Sequence, residues 1–223
     1  HTGPRNILDS ALHYRFPDNL SLGSVPHICN AYFKLYACCR HVHAPLDALL
    51  RLINQYDIEP HAIDAIEVET YSGALRITNK SDPTNLIDVQ YSIPYCLALA
   101  AIAGPQALPP LTSKALEQDK VVALASKVQL SLDPALDARF PAETLARVAI
   151  KSRGQRFVSN LTAPQGEASN PLSWGALVAK FCAATRMVAT DVQRGQILRA
   201  MDDVCAGSLS ALSVCISEIT LDS

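Results

Sequence analysis

Lys34-Leu35-Tyr36-Ala37-Cys38-Cys39-Arg40-His41-Val42-His43-Ala44-Pro45-Leu46-Asp47 is the stretch on which the reading of this chain turns. It sets two cations, two thiols and two imidazoles within ten residues, directly before an apolar helical pattern. From Pro45 to Tyr56 the residues Leu46, Leu49, Leu50, Leu52 and Ile53 fall on one stripe. That spacing predicts a helix with Asp47 in its first turn, where negative charge is favoured. A loop that runs into a helix start is a place to hold an anion, because free backbone N–H groups and the positive dipole end add to the side-chain charge.

Outward from this stretch the period changes. Ala65 to Tyr71 alternates Ile66, Val68 and Thr70 against Glu67, Glu69 and Tyr71, the pattern of a half-buried strand. A loop over Asn79 to Asn85 leads to an apolar helix over Tyr91 to Ala103, stopped by Gly104-Pro105. A third helix is expected over Thr112 to Ser126, with Leu116, Val121, Leu124 and Ala125 inward. Lys127 to Leu132 alternates again through Val128, Leu130 and Leu132 and reads as a strand. Leu145 to Lys151 and Arg156 to Thr162 read as strands flanking a hairpin turn at Arg153-Gly154. Ala163-Pro164-Gln165-Gly166 signals a linker, after which the chain is helical. One stripe there is Val178, Phe181, Cys182, Thr185, Val188 and Val192, and helices are expected over 170–192, 196–206 and 208–220. A short helix through Ile7, Leu8, Ala11 and Leu12 opens the chain. The expected class is α+β, with a largely antiparallel sheet covered on one face. The boundaries are 1–24 for the end of a helical domain, 25–165 for the α+β domain and 166–223 for returning helices.

Composition narrows the function classes. A chain of 223 residues, 49% hydrophobic and 18% charged, can bury a core and is not disordered. A net charge of −2 without a basic run argues against nucleic acid as partner. The apolar run Cys96 to Ala103 covers less than half of the ~20 residues that a bilayer span requires, so no membrane partner is expected. Seven cysteines, several of them inside helical apolar patterns, point to a reducing compartment rather than a disulfide framework. Cytoplasm, or the mitochondrial matrix in a eukaryote, is the expected location. Nine glycines hold no GxGxxG or phosphate-loop pattern, which excludes a dinucleotide or nucleoside triphosphate cofactor. Cys38, Cys39, His41 and His43 do not match a zinc spacing, and no metal is expected. Residue 1 is His and both methionines, Met187 and Met201, come late, so further chain N-terminal to it is expected.

Six pieces of the chain, in order, carry a likeness to one family. They are Thr2-Gly3-Pro4 with Ile7-Leu8-Asp9, Phe33 to Tyr36 with Cys39-Arg40 and His43 to Asp47, and Glu69-Thr70-Tyr71. The others are Gln90 to Tyr95, Lys127-Val128 with Asp133-Pro134, and Asn170 to Ser173 with Lys180-Phe181. This series resembles the MmgE/PrpD family, which includes 2-methylcitrate dehydratase, cis-aconitate decarboxylase and an iminodisuccinate epimerase. Ala37 stands where the family usually has proline, and Tyr91 where it has phenylalanine. The resemblance implies a small α/β domain of lid type, inserted between helical segments of an all-α domain, and it covers the family's C-terminal half. It further implies a homodimer, or a second chain supplying the N-terminal helical half.

The chemistry the resemblance implies is elimination of water or carbon dioxide from a small citrate-like or alkylcitrate-like polycarboxylate, without metal or other cofactor. Proton removal next to a carboxylate builds negative charge, so preorganised cations and hydrogen-bond donors must await it. By the resemblance Lys34, His43 and Tyr71 are the candidate catalytic residues, and Lys34, Cys39, Arg40 and His41 the candidate substrate-binding ones. Arg40 can grip a carboxylate with two parallel bonds, which lysine cannot. The other readings of these residues are solvated loop cations for Lys34 and Arg40, a helix-start role for His43 and core packing for Tyr71. Two other functions stay open: a stand-alone half-protein acting as an isomerase or cyclase in a specialised biosynthetic pathway, and a non-catalytic dimerising module.

Overall fold

The computed structural model describes residues 27–217. The chain divides into two units, His1–Ala31 and Tyr32–Ser223. Within the first, a single 3-10 turn, His27–Asn30, is described. The helix expected within residues 1–24 lies outside the described residues.

The second unit is a mixed α/β structure. Its first helix, α1 (Arg40–Tyr56), ends at Asp57, whose left-handed conformation (φ 50°) lets its N–H close back on the Ile53 carbonyl. The helix starts five residues earlier than the sequence pattern implies and carries Pro45 inside it. Asp47 is therefore an interior residue, not a first-turn one. An interior proline costs roughly 3 kcal/mol. Full burial of Val42, with Ala44 almost as deeply placed, offsets much of this. Val42, Leu46 and Leu49 expose no surface, so the expected apolar stripe faces the core.

Strand β1 (Ile63–Thr70) alternates as read, with Ile66, Val68 and Thr70 fully buried. After it come the short helices α2 (Ser72–Leu75) and α3 (Leu86–Gln90) and the apolar α4 (Ile93–Ala103). Ser92 caps α4 by accepting the Tyr95 N–H at 3.1 Å. Ile93 through Ala100 are all buried, as a helix apolar all round requires. The single helix expected over Thr112 to Ser126 is two pieces, a 3-10 turn Ser113–Ala115 and α5 (Asp119–Ala125). Glu117 between them is left-handed (φ 55°), which a right-handed helix cannot contain.

Strand β2 (Val128–Leu132), helix α6 (Pro134–Asp137), β3 (Arg147–Ser152) and β4 (Gln155–Val158) complete the sheet, in the order β2-β1-β3-β4. β1 pairs antiparallel with β3, and β3 with β4, through a turn in which Arg153 (φ 50°) and Gly154 (φ 74°) are both left-handed. This is the tight hairpin expected there. β2 instead runs parallel to β1, with Ile66 opposite Val128. The helices α2 to α5 supply the long crossover that a parallel neighbour needs, so the sheet is mixed. Leu132 is 48% exposed on this edge strand. Helix α1 packs on β3 and α4. On the opposite face Glu67 pairs with Lys151 and Arg156, and Glu69 with Arg147.

Three helices follow: α7 (Trp174–Thr185), α8 (Asp191–Cys205) and α9 (Ser210–Ser217). α7 ends at Thr185, and Thr190 then opens α8 with a capping box to Gln193. Val188 and Val192 therefore leave the expected stripe, and they are 48% and 70% exposed. Among the described residues no helix is long and apolar enough to cross a membrane.

Leu49 lies wholly within the core under the sheet. Leu49→Ala is expected to lower stability by about 3 kcal/mol, measured by urea unfolding.

Candidate functional site

The start of α1 is held by a backbone bond from the Cys39 N–H to the Gln90 carbonyl, 2.8 Å. This fixes Arg40 and His41 in the first turn, facing the end of β1. Thr70 closes that strand by donating its hydroxyl to the Leu145 carbonyl at 3.1 Å. Tyr71 follows, 1% exposed, its ring stacked on Phe140 at 4.6 Å. The next backbone N–H, of Ser72, donates to Asp137 Oδ1 at 2.8 Å.

The Tyr71 oxygen lies 2.6 Å from His41 Nδ1. Burial holds the phenol well above its ordinary range. Burial and then the charge of Arg76 push the imidazole below 6.5. Both groups are therefore neutral at physiological pH and share one hydrogen bond between the phenol oxygen and Nδ1.

Arg40 is deeply placed, and each of its three nitrogens donates. Nε donates to Glu167 Oε1 at 3.2 Å, Nη2 donates to the same oxygen, and Nη1 reaches the Gln165 carbonyl at 3.3 Å. Its guanidinium also lies 4.4 Å above the centre of the Tyr32 ring. The backbone carrying Glu167 is pinned beside it. Phe33 donates its N–H to the Gly166 carbonyl at 2.9 Å, and Gln165 donates its N–H to Asp47 Oδ2 at 2.8 Å. Gly166 is required here: its φ is +91°, and a Cβ would sit 2.1 Å from the Phe33 oxygen. Asp47 Oδ1 accepts the Tyr36 phenol at 3.1 Å. Burial raises the Asp47 carboxyl pKa against the pull of these bonds, and burial and then Asp47 raise that of Tyr36.

The other candidate residues divide. Lys34 is exposed and donates to the Cys38 carbonyl at 3.3 Å. Cys39 is half-buried at the cap of α1, close enough for a thiolate there to raise the Tyr71 pKa. His43 is 1% exposed on the buried side of α1, 5.3 Å from the Tyr36 ring, and its Nε2 has no partner. Burial first, then Arg40, and more weakly Lys34 and Lys180, lower its pKa from 6.5 to about 3. So Cys39, Arg40, His41 and Tyr71 gather where α1 begins and β1 ends, Lys34 caps the preceding turn, and His43 is turned into the interior. Among the described residues no three His, Cys, Asp or Glu side chains are grouped as metal donors.

A cavity of about 300 Å³ reaches this cluster through Glu167, the partner of Arg40, and is lined also by Arg139, Thr144, Leu145, Pro164 and Ser169. Thr144 lines it with other atoms, while its Oγ1 is shut off from solvent and has no partner. A roomier depression of about 470 Å³, around His61, Leu124 and Lys127, lies past the other end of β1. Neither space is lined by Lys34, Cys39, Arg40, His41, His43 or Tyr71, and the smaller one is tied to them through Glu167, the partner of Arg40.

A sequence model of the MmgE/PrpD C-terminal domain matches residues 36–203. The chain belongs to the MmgE/PrpD family. No curated protein matches it. The matched residues include Arg40, His41, Tyr71, Glu167 and Lys180, so every partner of the site described above except Tyr32, Phe33 and Lys34 falls within the family domain. Glu167, Gln165, Thr144 and the Tyr36–Asp47 pair carried no sequence signal. Glu167 reaches Arg40 across 127 residues, and the linker pattern around Gly166 says only that the chain turns there.

His43 also makes stability depend on pH. Its folded pKa lies below its unfolded one, so stability is complete above pH 6.5 and falls as the pH drops towards about 3. The slope is at most about 1.4 kcal/mol per pH unit. The stability gap between wild type and His43→Gln, from urea unfolding, is therefore expected to narrow between pH 7 and pH 4. A constant gap would exclude a neutral buried imidazole.

Proposed function

We propose that this protein is a lyase that dehydrates a small citrate-like or alkylcitrate-like polycarboxylate by removing a proton next to a carboxylate. The family is one of dehydratase- and lyase-like proteins. The observation that carries the reading further is the 2.6 Å contact between His41 and Tyr71 next to the buried Arg40 guanidinium, whose partner Glu167 lines a cavity. In this proposal the His41 Nε2–H donates to the substrate and Tyr71 fixes the tautomer. Lys34 faces the charge that grows as the proton leaves. Arg40 holds a substrate carboxylate, Cys39 borders it, and His43 acts from the interior as a neutral imidazole. The α/β unit would be a lid over an all-α domain, with the rest of the site supplied by an N-terminal helical half.

A second reading, a dimerising module, is supported by one observation. Trp174, Met187, Val192, Leu209, Val214 and Ile216 are each more than half exposed and crowd into α7 to α9 and their connections. Such a concentration of apolar surface suits burial against a partner copy or a second chain. Light scattering of the purified protein is expected to give twice the mass of one chain, or a mixed complex, and a lone monomer would remove this reading.

The lyase assay follows the ultraviolet absorbance of the new C=C bond, with citrate-like acids and any chain that co-purifies. Lys34→Ala and Tyr71→Phe are each expected to lower kcat/KM by about 100-fold with Tm nearly unchanged. Absence of turnover on every polycarboxylate, or full activity in both variants, would overturn the proposal.

A further inference from the structure

We infer that the Glu167 carboxylate is an internal place-holder in the Arg40 anion site, which a substrate carboxylate must displace. This deepens the lyase reading and rests on it for the identity of the ligand.

Four features separate this contact from an inert structural pair. First, Arg40 Nε and Nη2 both turn to Oε1, so the carboxylate does not use its two oxygens as a fork and Oε2 takes neither donor. Arginine and a carboxylate pair best with two parallel bonds, which leaves room for a better partner. Second, the pair is asymmetric: the Arg40 side chain is 10% exposed and that of Glu167 is 31%. The cation stays in place and the anion is the one with a way out. Third, the backbone on either side of Gly166 is anchored at Phe33 and Asp47, so release asks only for rotation of the Glu167 side chain. Fourth, Glu167 is one wall of the 300 Å³ cavity whose lining also includes Arg139 and Ser169, so the side chain that leaves Arg40 has open space beside it.

The ligand class follows from this layout. An entering molecule must offer one carboxylate to Arg40, in exchange for Glu167, and further oxygens to Arg139 and Ser169 in the cavity. A monocarboxylate exchanges one anion for another and gains little. A molecule with two or three carboxylates gains the additional bonds, so the exchange selects for polycarboxylates.

The test uses Glu167→Gln, which keeps the shape and removes the charge. Without anion this variant leaves a buried guanidinium uncompensated and is expected to melt below wild type. Inorganic phosphate, and more strongly tricarballylate as a citrate-like probe, should restore its Tm and shift the Arg40 Nε–Hε resonance. Tricarballylate should bind the variant with a dissociation constant roughly tenfold below that of wild type. A variant whose Tm and Arg40 resonance respond to anions no more than wild type does would overturn the inference. If Glu167→Gln does not fold, Glu167→Asp, whose shorter arm holds Arg40 less well, is judged by the same two readouts. The phosphate arm is independent of catalysis. Loss of the lyase reading shows as no turnover of any polycarboxylate by wild type, whereas loss of the place-holder shows as no anion response in the variants.

Discussion

The laying of the loop around Gly166 against the segment from Phe33 to Asp47 is the constraint on which the site depends. Five hydrogen bonds make it: Phe33 N–H to the Gly166 carbonyl, Gln165 N–H to Asp47, two from Arg40 to Glu167 and one from Arg40 to the Gln165 carbonyl. Only glycine permits the approach, because a side chain would collide with the Phe33 carbonyl. The junction also meets an electrostatic need. Arg40 and Asp47 are both almost fully buried on α1, and a buried charge left alone costs several kcal/mol. The loop brings a carboxylate to one and a backbone N–H to the other. Without it, Arg40 in the first turn of α1 would lose its carboxylate and Asp47 in the helix interior would keep only the Tyr36 phenol.

What that junction makes possible is a rigid platform where a helix begins beside a strand end. His41 and Tyr71 meet there although they come from different elements, because Cys39 is tied to Gln90 and Thr70 to Leu145. Burial acts on the two groups with opposite sign, since it disfavours the charged form of each: the imidazolium and the phenolate. The same physics keeps His43 neutral, reinforced by the surrounding cations. The site is thus a set of neutral hydrogen-bonding groups next to permanent positive charge, an environment suited to stabilising an anion as it forms.

Local periodicity was legible where one force decides the outcome. The alternation of Ile66, Val68 and Thr70, the apolar stripe of α1 and the turn at Arg153-Gly154 all appear as read. Misreadings occurred where a distant contact outweighs a local rule. Pro45 reads as a helix start, yet burial of Val42 and Ala44 draws the helix back to Arg40. Thr112 to Ser126 has the apolar spacing of a helix, but Glu117 turns left-handed and divides it. The direction of β2 is invisible in its own five residues, because it is set by the helical crossover that precedes it.

Taken by itself, the sequence determined the family, the α and β content, the core faces of α1 and β1, and the segment in which the site residues cluster. Those properties follow from residue types at short spacing. Tertiary structure alone decided which of the clustered residues meet. It joined His41 to Tyr71, sent His43 into the interior and closed Arg40 with Glu167. Helical geometry separates His41 from His43 onto different sides of one helix, and only packing decides which side is the core. The partner of Arg40 lies far along the chain, so it is chosen by where the loop is laid and not by any local pattern.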